Sequence, residues 1–157
     1  MKCVVITVSD SCHEGRRQDS SGPAVTQFLK SKGWEVTGAR ILPDDEAQIL
    51  SALEQATGAD VILTTGGTGV AQRDVTPEAT RRAITREIPG MAELMRAEGL
   101  RKTRRSVLSR GVVGLRGTIL VVNLPGSPKG AVESLEAVFD LLEHVVHLAR
   151  GEGSDHG

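Results

Sequence analysis

Two short apolar runs lack the alternation of polar and apolar side chains that a half-exposed strand would show. Residues 3–8 read Cys-Val-Val-Ile-Thr-Val, and residues 60–64 read Asp-Val-Ile-Leu-Thr. Such runs predict strands that are buried on both faces, which occur mainly in parallel sheets with helices on each side. Of all the features of the sequence, this pattern limits the possible folds most.

Segments with helical periodicity alternate with these strands in the first half of the chain. Residues 19–23 contain helix-start signals, and Gly33 is placed to end the helix that follows them. Residues 35–42 predict a second, weaker strand. Residues 43–46 then open another helix, which Gly58 closes, and acidic residues in its first turn suit the helix dipole.

The second half continues the alternation. Thr76 and Pro77 predict the N-cap and first residue of a helix that runs to about residue 86, and Pro89-Gly90 breaks it. A further helix is predicted over residues 91–99. Residues 111–122 predict a hairpin whose second arm enters the sheet.

The last predicted helix starts at Ser127-Pro128 and carries apolar residues at a spacing of three to four as far as Ala149. We therefore expect an α/β fold of three layers, α/β/α, with a mostly parallel, Rossmann-like, doubly wound sheet and a small hairpin near residues 111–122. With 157 residues, the chain suits one domain over residues 1–150, followed by a frayed tail over residues 151–157.

Composition excludes several classes of function. The net charge is −1 and only 2% of the residues are aromatic, so the global charge and base-stacking surfaces of nucleic-acid-binding proteins are not expected. No run approaches the ~20 apolar residues that cross a membrane, and residues 2–8 are too short for a signal peptide. Cys3 and Cys12 fit no zinc or redox spacing, which is typical of reduced thiols in a cytoplasmic protein.

Basic residues cluster in the third quarter of the chain. A solvated surface is the commonest explanation for such a cluster, but an anionic small molecule or an acidic neighbouring subunit would also account for it. The cluster consists of Arg96, Arg101, Lys102, Arg104, Arg105, Arg110 and Arg116.

Four distinctive segments follow predicted strands, namely residues 9–10, 43–45, 65–74 and 124–129. In an open parallel sheet, ligands bind outside the carboxyl ends of the strands. Because these segments all fall at that edge, they predict one binding site.

The glycine-rich loop within residues 64–69 reads Thr-Thr-Gly-Gly-Thr-Gly. Gly66, Gly67 and Gly69 allow backbone N–H groups to approach an anion, and Thr65 and Thr68 add hydroxyl groups. A plain tight turn is the alternative. The loop matches neither the Walker A nor the dinucleotide-binding glycine pattern, so we interpret it as a phosphate-binding loop of another kind.

Carboxylates near such a loop indicate a metal ion, because Mg²⁺ offsets their repulsion of a phosphate and prefers oxygen ligands. Asp44 and Asp74 each follow a predicted strand. The alternatives are a helix N-cap for Asp44 and a turn paired with Arg73 for Asp74. Asp10 fits an Asx turn equally well.

The helix start at Ser127-Pro128 is a further candidate anion site, with a simple helix cap as the alternative. Lys129 lies in the first turn, where the helix dipole disfavours a positive charge unless an anion offsets it. His144 and His147 are expected to flank the apolar face of the last helix and not to bind a metal.

Several motifs now occur together in one order. They are Thr-Val-Ser-Asp at residues 7–10, Leu-Pro-Asp-Asp at 42–45, the glycine loop with Arg-Asp-Val-Thr-Pro at 73–77, Pro-Gly-Met at 89–91, Leu-Ser-Arg at 108–110, and Asn-Leu-Pro-Gly-Ser-Pro-Lys at 123–129. Over about residues 3–148 the chain resembles the MogA/MoaB-type molybdenum cofactor biosynthesis proteins, whose fold is also that of the gephyrin G domain.

The resemblance implies a molybdopterin adenylyltransferase, which joins ATP and molybdopterin with the help of Mg²⁺ and releases pyrophosphate. It assigns the catalytic acidic pair to Asp44 and Asp74, with Asp74 as the metal-linked residue. It also implies a homotrimer and allows for other molybdenum cofactor biosynthesis proteins as partners. The chain has no insertion in its last third, unlike larger active members, so a non-catalytic molybdopterin-binding or assembly protein is the alternative.

The resemblance also distributes the substrate contacts. The nucleotide and its phosphates are assigned to three groups of residues: Ser9 and Asp10; Thr65, Gly66, Gly67, Thr68 and Gly69; and Pro125, Gly126 and Ser127. The molybdopterin side is assigned to Ser109, Arg110 and Lys129.

Overall fold

Six strands form one sheet in the computed structural model, which describes residues 1–153; residues 154–157 of the predicted tail lie outside the described residues. The strands are β1 (Lys2–Val8), β2 (Glu35–Leu42), β3 (Val61–Thr65), β4 (Arg86–Glu87), β5 (Val113–Arg116) and β6 (Ile119–Leu124). The helices are α1 (Asp10–His13), α2 (Ser21–Ser31), α3 (Glu46–Gln55), α4 (Thr76–Ala83), α5 (Pro89–Leu100) and α6 (Pro128–Ala149), and a 3₁₀ turn covers Arg104–Leu108.

The strand order is β2-β1-β3-β6-β5-β4. The first four strands in this order are parallel, whereas β5 pairs antiparallel with both β6 and β4. The predicted mostly parallel sheet and the hairpin near residues 111–122 are therefore confirmed, and β6 is the arm that enters the parallel part of the sheet.

The three predicted layers are confirmed by the two faces of β3. Val61 and Leu63 belong to a core shared with α2, α5 and α6, whereas Ile62 belongs to a second core shared with α3 and α4. All three side chains are fully buried, which explains why the strand sequence has no polar alternation. No helix within residues 1–153 combines the length and apolarity needed to cross a membrane.

The structure corrects the predicted start and end of α4. Val75, not Thr76, occupies the N-cap position, and the Thr76 hydroxyl instead donates to the carbonyl oxygen of Gly66 at 3.0 Å. The helix ends at Ala83 and not near residue 86, because residues 86–87 pair with β5 as an edge strand.

Three further local features differ from expectation. Pro89 is the first residue of α5 and not a break before it, since the helix covers residues 89–100. The sequence does not predict the short helix α1 or the 3₁₀ turn, because four or five residues carry too little periodicity to reveal a helix. Both cysteines are buried free thiols, as predicted, and burial raises the pKa of Cys3 to about 12.

A buried polar network fixes the carboxyl end of β6. The Asn123 side chain donates to the hydroxyl oxygens of Thr64 (3.0 Å) and Thr80 (2.9 Å), and its own oxygen accepts from the backbone N–H of Val112 (3.0 Å). The network joins β3, α4 and the start of β5 directly behind the glycine loop.

We expect Asn123→Leu to lower the free energy of unfolding by about 2–4 kcal/mol, because it leaves buried donors and acceptors without partners. Urea denaturation would measure the loss. The control is Ser31→Ala, which removes an exposed hydroxyl and should change stability by less than about 0.5 kcal/mol. An Asn123→Leu variant as stable as the control would contradict a stabilising network.

Candidate functional site

The four segments predicted to share one edge of the sheet do meet there. The backbone N–H of Ser9, after β1, donates to Leu42 at the end of β2 (2.9 Å), and that of Gly66, after β3, donates to Leu124 at the end of β6 (3.1 Å). Parallel strands bring these ends together because they all run in the same direction. The glycine loop lies at the centre of this edge.

The backbone of the loop requires glycine at two positions. Gly66 has φ = 88° and Gly67 has φ = 69°, a region that side chains disfavour. A Cβ atom would also collide with the Val8 carbonyl oxygen at the first position and with the Thr76 hydroxyl at the second. The loop therefore packs closer to its neighbours than any other residue would allow.

Four consecutive carbonyl groups of the loop are bonded away from its open side. The oxygens of Gly66 and Gly67 accept from the hydroxyl and the N–H of Thr76 (3.0 and 3.1 Å). The oxygens of Thr68 and Gly69 accept from the backbone N–H and the Nε of Arg110, both at 2.7 Å.

The N–H groups of these same peptides remain free. A trans peptide directs its N–H opposite to its carbonyl, and no hydrogen bond among residues 1–153 uses the N–H groups of residues 67–70. Consecutive unpaired N–H groups in a turn form an anion-binding concavity. The loop therefore has the backbone geometry of an anion site, and its binding of a phosphate stays a prediction.

Three carboxylates surround the loop. The N–H of Asp10 donates to Asp44 Oδ2 (3.1 Å), and the N–H of Asp44 donates to Asp10 Oδ1 (2.9 Å). Asp44 Oδ1 lies 3.1 Å from the point where a Cβ of Gly67 would stand, and Asp74 Oδ2 lies 2.9 Å from the corresponding point at Gly69. The absent side chains thus leave room for the two predicted catalytic carboxylates beside the loop.

Of the alternatives considered for these aspartates, the structure shows only a turn at Asp74. Asp45, not Asp44, caps α3 by accepting from the Gln48 N–H at 2.9 Å. Arg73 forms two hydrogen bonds to Asp10 (2.9 and 3.0 Å) and is not the partner of Asp74. Asp74 does stabilise a turn, since its Oδ2 accepts from the N–H of residue 71.

The local environment shifts the pKa values of Asp44 and Asp10 in opposite directions. Burial, together with the negative charges of Asp10 and Asp74, raises the pKa of Asp44 despite the hydrogen bond that it accepts. The backbone hydrogen bond from Asp44, followed by the bonds and charge of Arg73, lowers the pKa of Asp10. On acidification Asp44 is therefore protonated before Asp10.

Two cavities meet at the loop, with volumes of about 660 and 580 Å³. The smaller lies toward Ser9 and Asp44, and the larger lies between the loop, α5, the 3₁₀ turn and α6. Their common wall consists of Gly66, Gly67, Asp74, Gly126 and Ser127. Molecules in the two cavities would meet at Asp74 and the loop.

The predicted contact residues divide between these cavities. Ser9 lines the smaller cavity, whereas Thr68, Gly69 and Ser109 line the larger. Thr68, Gly69 and Pro125, which are predicted to contact the nucleotide and its phosphates, therefore line the same cavity as Ser109, which is predicted to contact the pterin.

Several of the predicted contacts are hydrogen-bonded within the protein or lie outside the cavity linings. Thr65 lines the smaller cavity but is fully buried, and its hydroxyl bonds to that of Ser21 at 2.8 Å. Asp10, Arg110 and Lys129 line neither cavity. The Ser127 side chain accepts from the Gly130 N–H at 3.1 Å, so it also acts as the simple helix cap.

The sequence does not assign two groups of cavity-lining residues to the predicted site. Asp19 lines the smaller cavity and accepts from the Thr7 hydroxyl at 2.7 Å, but its sequence context indicates only a helix start. The larger cavity is lined by Arg96, Lys102 and Arg105 of the basic cluster. Three members of the cluster therefore lie beside a cavity, and their number within a short segment is the available signal.

We expect Gly67→Ala to lower the free energy of unfolding by at least about 2 kcal/mol, because it combines a left-handed backbone with a steric collision. Gly117→Ala is the matched control, since Gly117 also has a positive φ (61°) but has no neighbouring atom within 4 Å of the position that a Cβ would take. Its cost should be about 1 kcal/mol. Equal losses for the two variants in urea denaturation would contradict the close approach of Thr76.

The raised pKa of Asp44 predicts a stability cost at neutral pH. The folded protein binds this proton more tightly than the unfolded chain does, so the stabilisation is present at low pH and is lost as the pH rises through the raised pKa. Asp44→Asn should therefore be more stable than the wild type at pH 7, by less than about 1 kcal/mol after solvent screening. The difference should vanish on acidification; an increase would contradict the sign of the shift.

Comparisons with known proteins identify the family that the chain resembles. Residues 4–144 match the family model of a probable molybdopterin binding domain. The chain is 40% identical over 148 residues to the molybdopterin adenylyltransferase of Escherichia coli K12, covering 90% of this chain and 75% of that protein. It is 40% identical over 149 residues to the molybdenum cofactor synthesis protein cinnamon of Drosophila melanogaster, covering 92% of this chain but only 25% of that longer protein.

The fold also matches a solved structure. The molybdopterin biosynthesis enzyme MoaB of Thermus thermophilus superimposes with a TM-score of 0.89 and 49% identity, covering 96% of this chain and 97% of that one. The match therefore extends over nearly the whole of both chains. The chain belongs to the family of molybdopterin-binding domains of the MogA and MoaB type.

Proposed function

We propose that this chain is a molybdopterin adenylyltransferase that transfers AMP from Mg·ATP to the terminal phosphate of molybdopterin and releases pyrophosphate. The observation that carries the proposal is the wall that the two cavities share, formed by the glycine loop and Asp74. A transfer between two bound substrates requires that their reacting ends meet at one point. Relatives named molybdopterin adenylyltransferase support the same reaction.

The nucleotide is assigned to the smaller cavity and molybdopterin to the larger. Both volumes fall in the range of small-molecule sites, roughly 300–1,000 Å³. Ser9 borders the proposed nucleotide, and Ser109 borders the proposed pterin. Arg96 and Arg105 supply positive charge that suits the phosphorylated pterin, whereas Lys102 pairs with Glu133 of the same cavity at 3.4 Å. Lys129, on the adjoining first turn of α6, is proposed to attract the same anion from outside the cavity wall.

In the reaction, an oxygen of the pterin's terminal phosphate forms a bond to the α-phosphorus of ATP. The bond from that phosphorus to the oxygen bridging to the β-phosphate breaks, and its electron pair leaves with pyrophosphate. Charge develops on the oxygens of the transferred group, where the free N–H groups of residues 67–70 can stabilise it. The protein's contribution is therefore the positioning and neutralisation of phosphates.

The residues present fit a magnesium ion. No group of three or more His, Cys, Asp or Glu side chains within residues 1–153 is arranged as a metal cage. Mg²⁺ does not need one, because it is bound through one or two carboxylates together with substrate phosphates and water. Asp74, with Asp44 beside it, would hold the ion, which would neutralise phosphate charge. The ion would also offset the repulsion between these carboxylates and the nucleotide.

Incubation of the protein with molybdopterin, ATP and Mg²⁺ tests the proposal. We expect pyrophosphate and adenylylated pterin to form in equal amounts. Asp74→Asn and Asp44→Asn should each lower kcat by about 100-fold or more, as losses of groups that stabilise transition-state charge do. Asp140→Asn, which removes an exposed carboxylate on α6, is the control. Tight pterin binding without pyrophosphate release would instead indicate the non-catalytic binding protein.

We also propose a homotrimer in the cytoplasm, with partners among other molybdenum cofactor biosynthesis proteins and none among nucleic acids. Exposed apolar side chains support self-association, notably Val70 (68% exposed), Val107 (57%) and Leu108 (52%). Light scattering of the purified protein would measure the mass in solution, and a monomer would contradict the trimer.

A further inference from the structure

Arg110 lies behind the glycine loop and not in either cavity. Its Nε donates to the Gly69 carbonyl (2.7 Å), its Nη2 donates to the Asp74 carbonyl (2.8 Å), and its Nη1 donates to Glu78 Oε1 (2.5 Å). Its backbone N–H donates to the Thr68 carbonyl (2.7 Å). One residue therefore bonds to three carbonyl groups in the segment that connects the two cavities.

These bonds fix the direction of the loop's donors. A carbonyl held toward Arg110 turns the N–H of the same peptide the other way, because the peptide is planar and trans. Through the carbonyls of Thr68 and Gly69, Arg110 thereby orients the N–H groups of Gly69 and Val70. Through the carbonyl of Asp74 it holds the backbone of that residue.

Glu78 pairs with Arg110 and neutralises its charge. Partial burial would raise the pKa of Glu78, but the hydrogen bonds from Arg110 and from its own backbone, with the charges of Arg110 and Arg81, lower that pKa overall. Glu78 therefore stays ionised as the partner of Arg110. This pairing and the position behind the loop favour a structural role for Arg110, and its contact with the phosphate of the pterin stays a prediction.

A second arginine links Arg110 to the larger cavity. The Nη1 of Arg96 donates to the carbonyls of Ser109 (3.3 Å) and Gly111 (3.2 Å), which flank Arg110 in the chain. Arg96, Ser109 and Gly111 all line the larger cavity, whereas Arg110 does not. Arg96, which lines the cavity in which the pterin is proposed to bind, therefore holds the backbone on both sides of Arg110.

We propose that Arg110 is a positioning residue, which sets the orientation of the loop donors and of Asp74, and that Arg96 connects this orientation to the larger cavity. The role of Arg110 in turnover rests on the proposed function, but its effect on the loop does not. Lysine at this position keeps the positive charge but cannot reach three acceptors in a fixed fork. Arg110→Lys therefore separates geometry from charge.

Hydrogen exchange measured by mass spectrometry tests the effect on the loop without any ligand. In Arg110→Lys, we expect the hydrogen-bonded amides of Ala71 and Asp74, within the peptides that cover residues 66–75, to exchange at least about tenfold faster than in the wild type. The reason is that two side-chain hydrogen bonds that hold this backbone are lost, whereas the free amides of residues 67–70 exchange fast in both proteins. Amides of β1 and β3 should keep the wild-type rate. The matched control, Arg82→Lys on α4, makes the same change at an exposed pair with Glu46 and should leave both regions unchanged.

Kinetics then test the effect on catalysis. We expect Arg110→Lys to lower kcat by about 30-fold or more, because loop donors act on charge that develops in the transition state. The KM for ATP should rise less than about fivefold, whereas a merely structural defect would lower the amount of active protein and leave the kcat per active site unchanged. Wild-type exchange rates over residues 66–75 would overturn the inference. If the loop exchanges faster in Arg110→Lys but the wild type shows no turnover, only the proposed function is overturned.

Discussion

The site depends on how the carbonyl groups of one loop are satisfied. Thr76 and Arg110 together bind the four consecutive carbonyls of residues 66–69. Without these partners the carbonyls would compete with a phosphate for the open side of the loop and repel it. The apolar strands place the loop at the sheet edge, and Thr76 and Arg110 leave its N–H groups free for the anion that we propose it binds.

The same edge concentrates negative charge that the folded protein must tolerate. Asp10 and Asp44 bind each other's backbone N–H groups, so each carboxylate has a neutral donor as well as a charged neighbour. Arg73 bonds to Asp10 and offsets the charge of Asp44 only in part, so the cost of ionisation falls on Asp44. The divalent cation proposed at Asp44 and Asp74 would offset the part of this cost that comes from charge repulsion.

The sequence predicts the sheet well and the local contacts poorly, for physical reasons. Residues 3–8 and 60–64 differ from the observed strands by one residue at each end at most, because burial on both faces leaves an unbroken apolar run. Thr76 is expected to be a helix cap because a threonine before proline usually is one, but its hydroxyl bonds to a residue ten positions earlier. Arg110 is likewise expected to bind a ligand, since residue type alone does not show whether a guanidinium faces a cavity or a carbonyl.

The two sides of the glycine loop are held by different contacts. The buried Asn123 network joins Thr64, at the end of β3, to α4, which begins at Thr76 behind the loop. This side of the loop is therefore held by the core and does not need a ligand to form. The other side is held through Arg110 and Arg96, which borders the larger cavity. A pterin that contacts Arg96 would thus act on the side of the loop that Arg110 holds, and not on the side that the core holds.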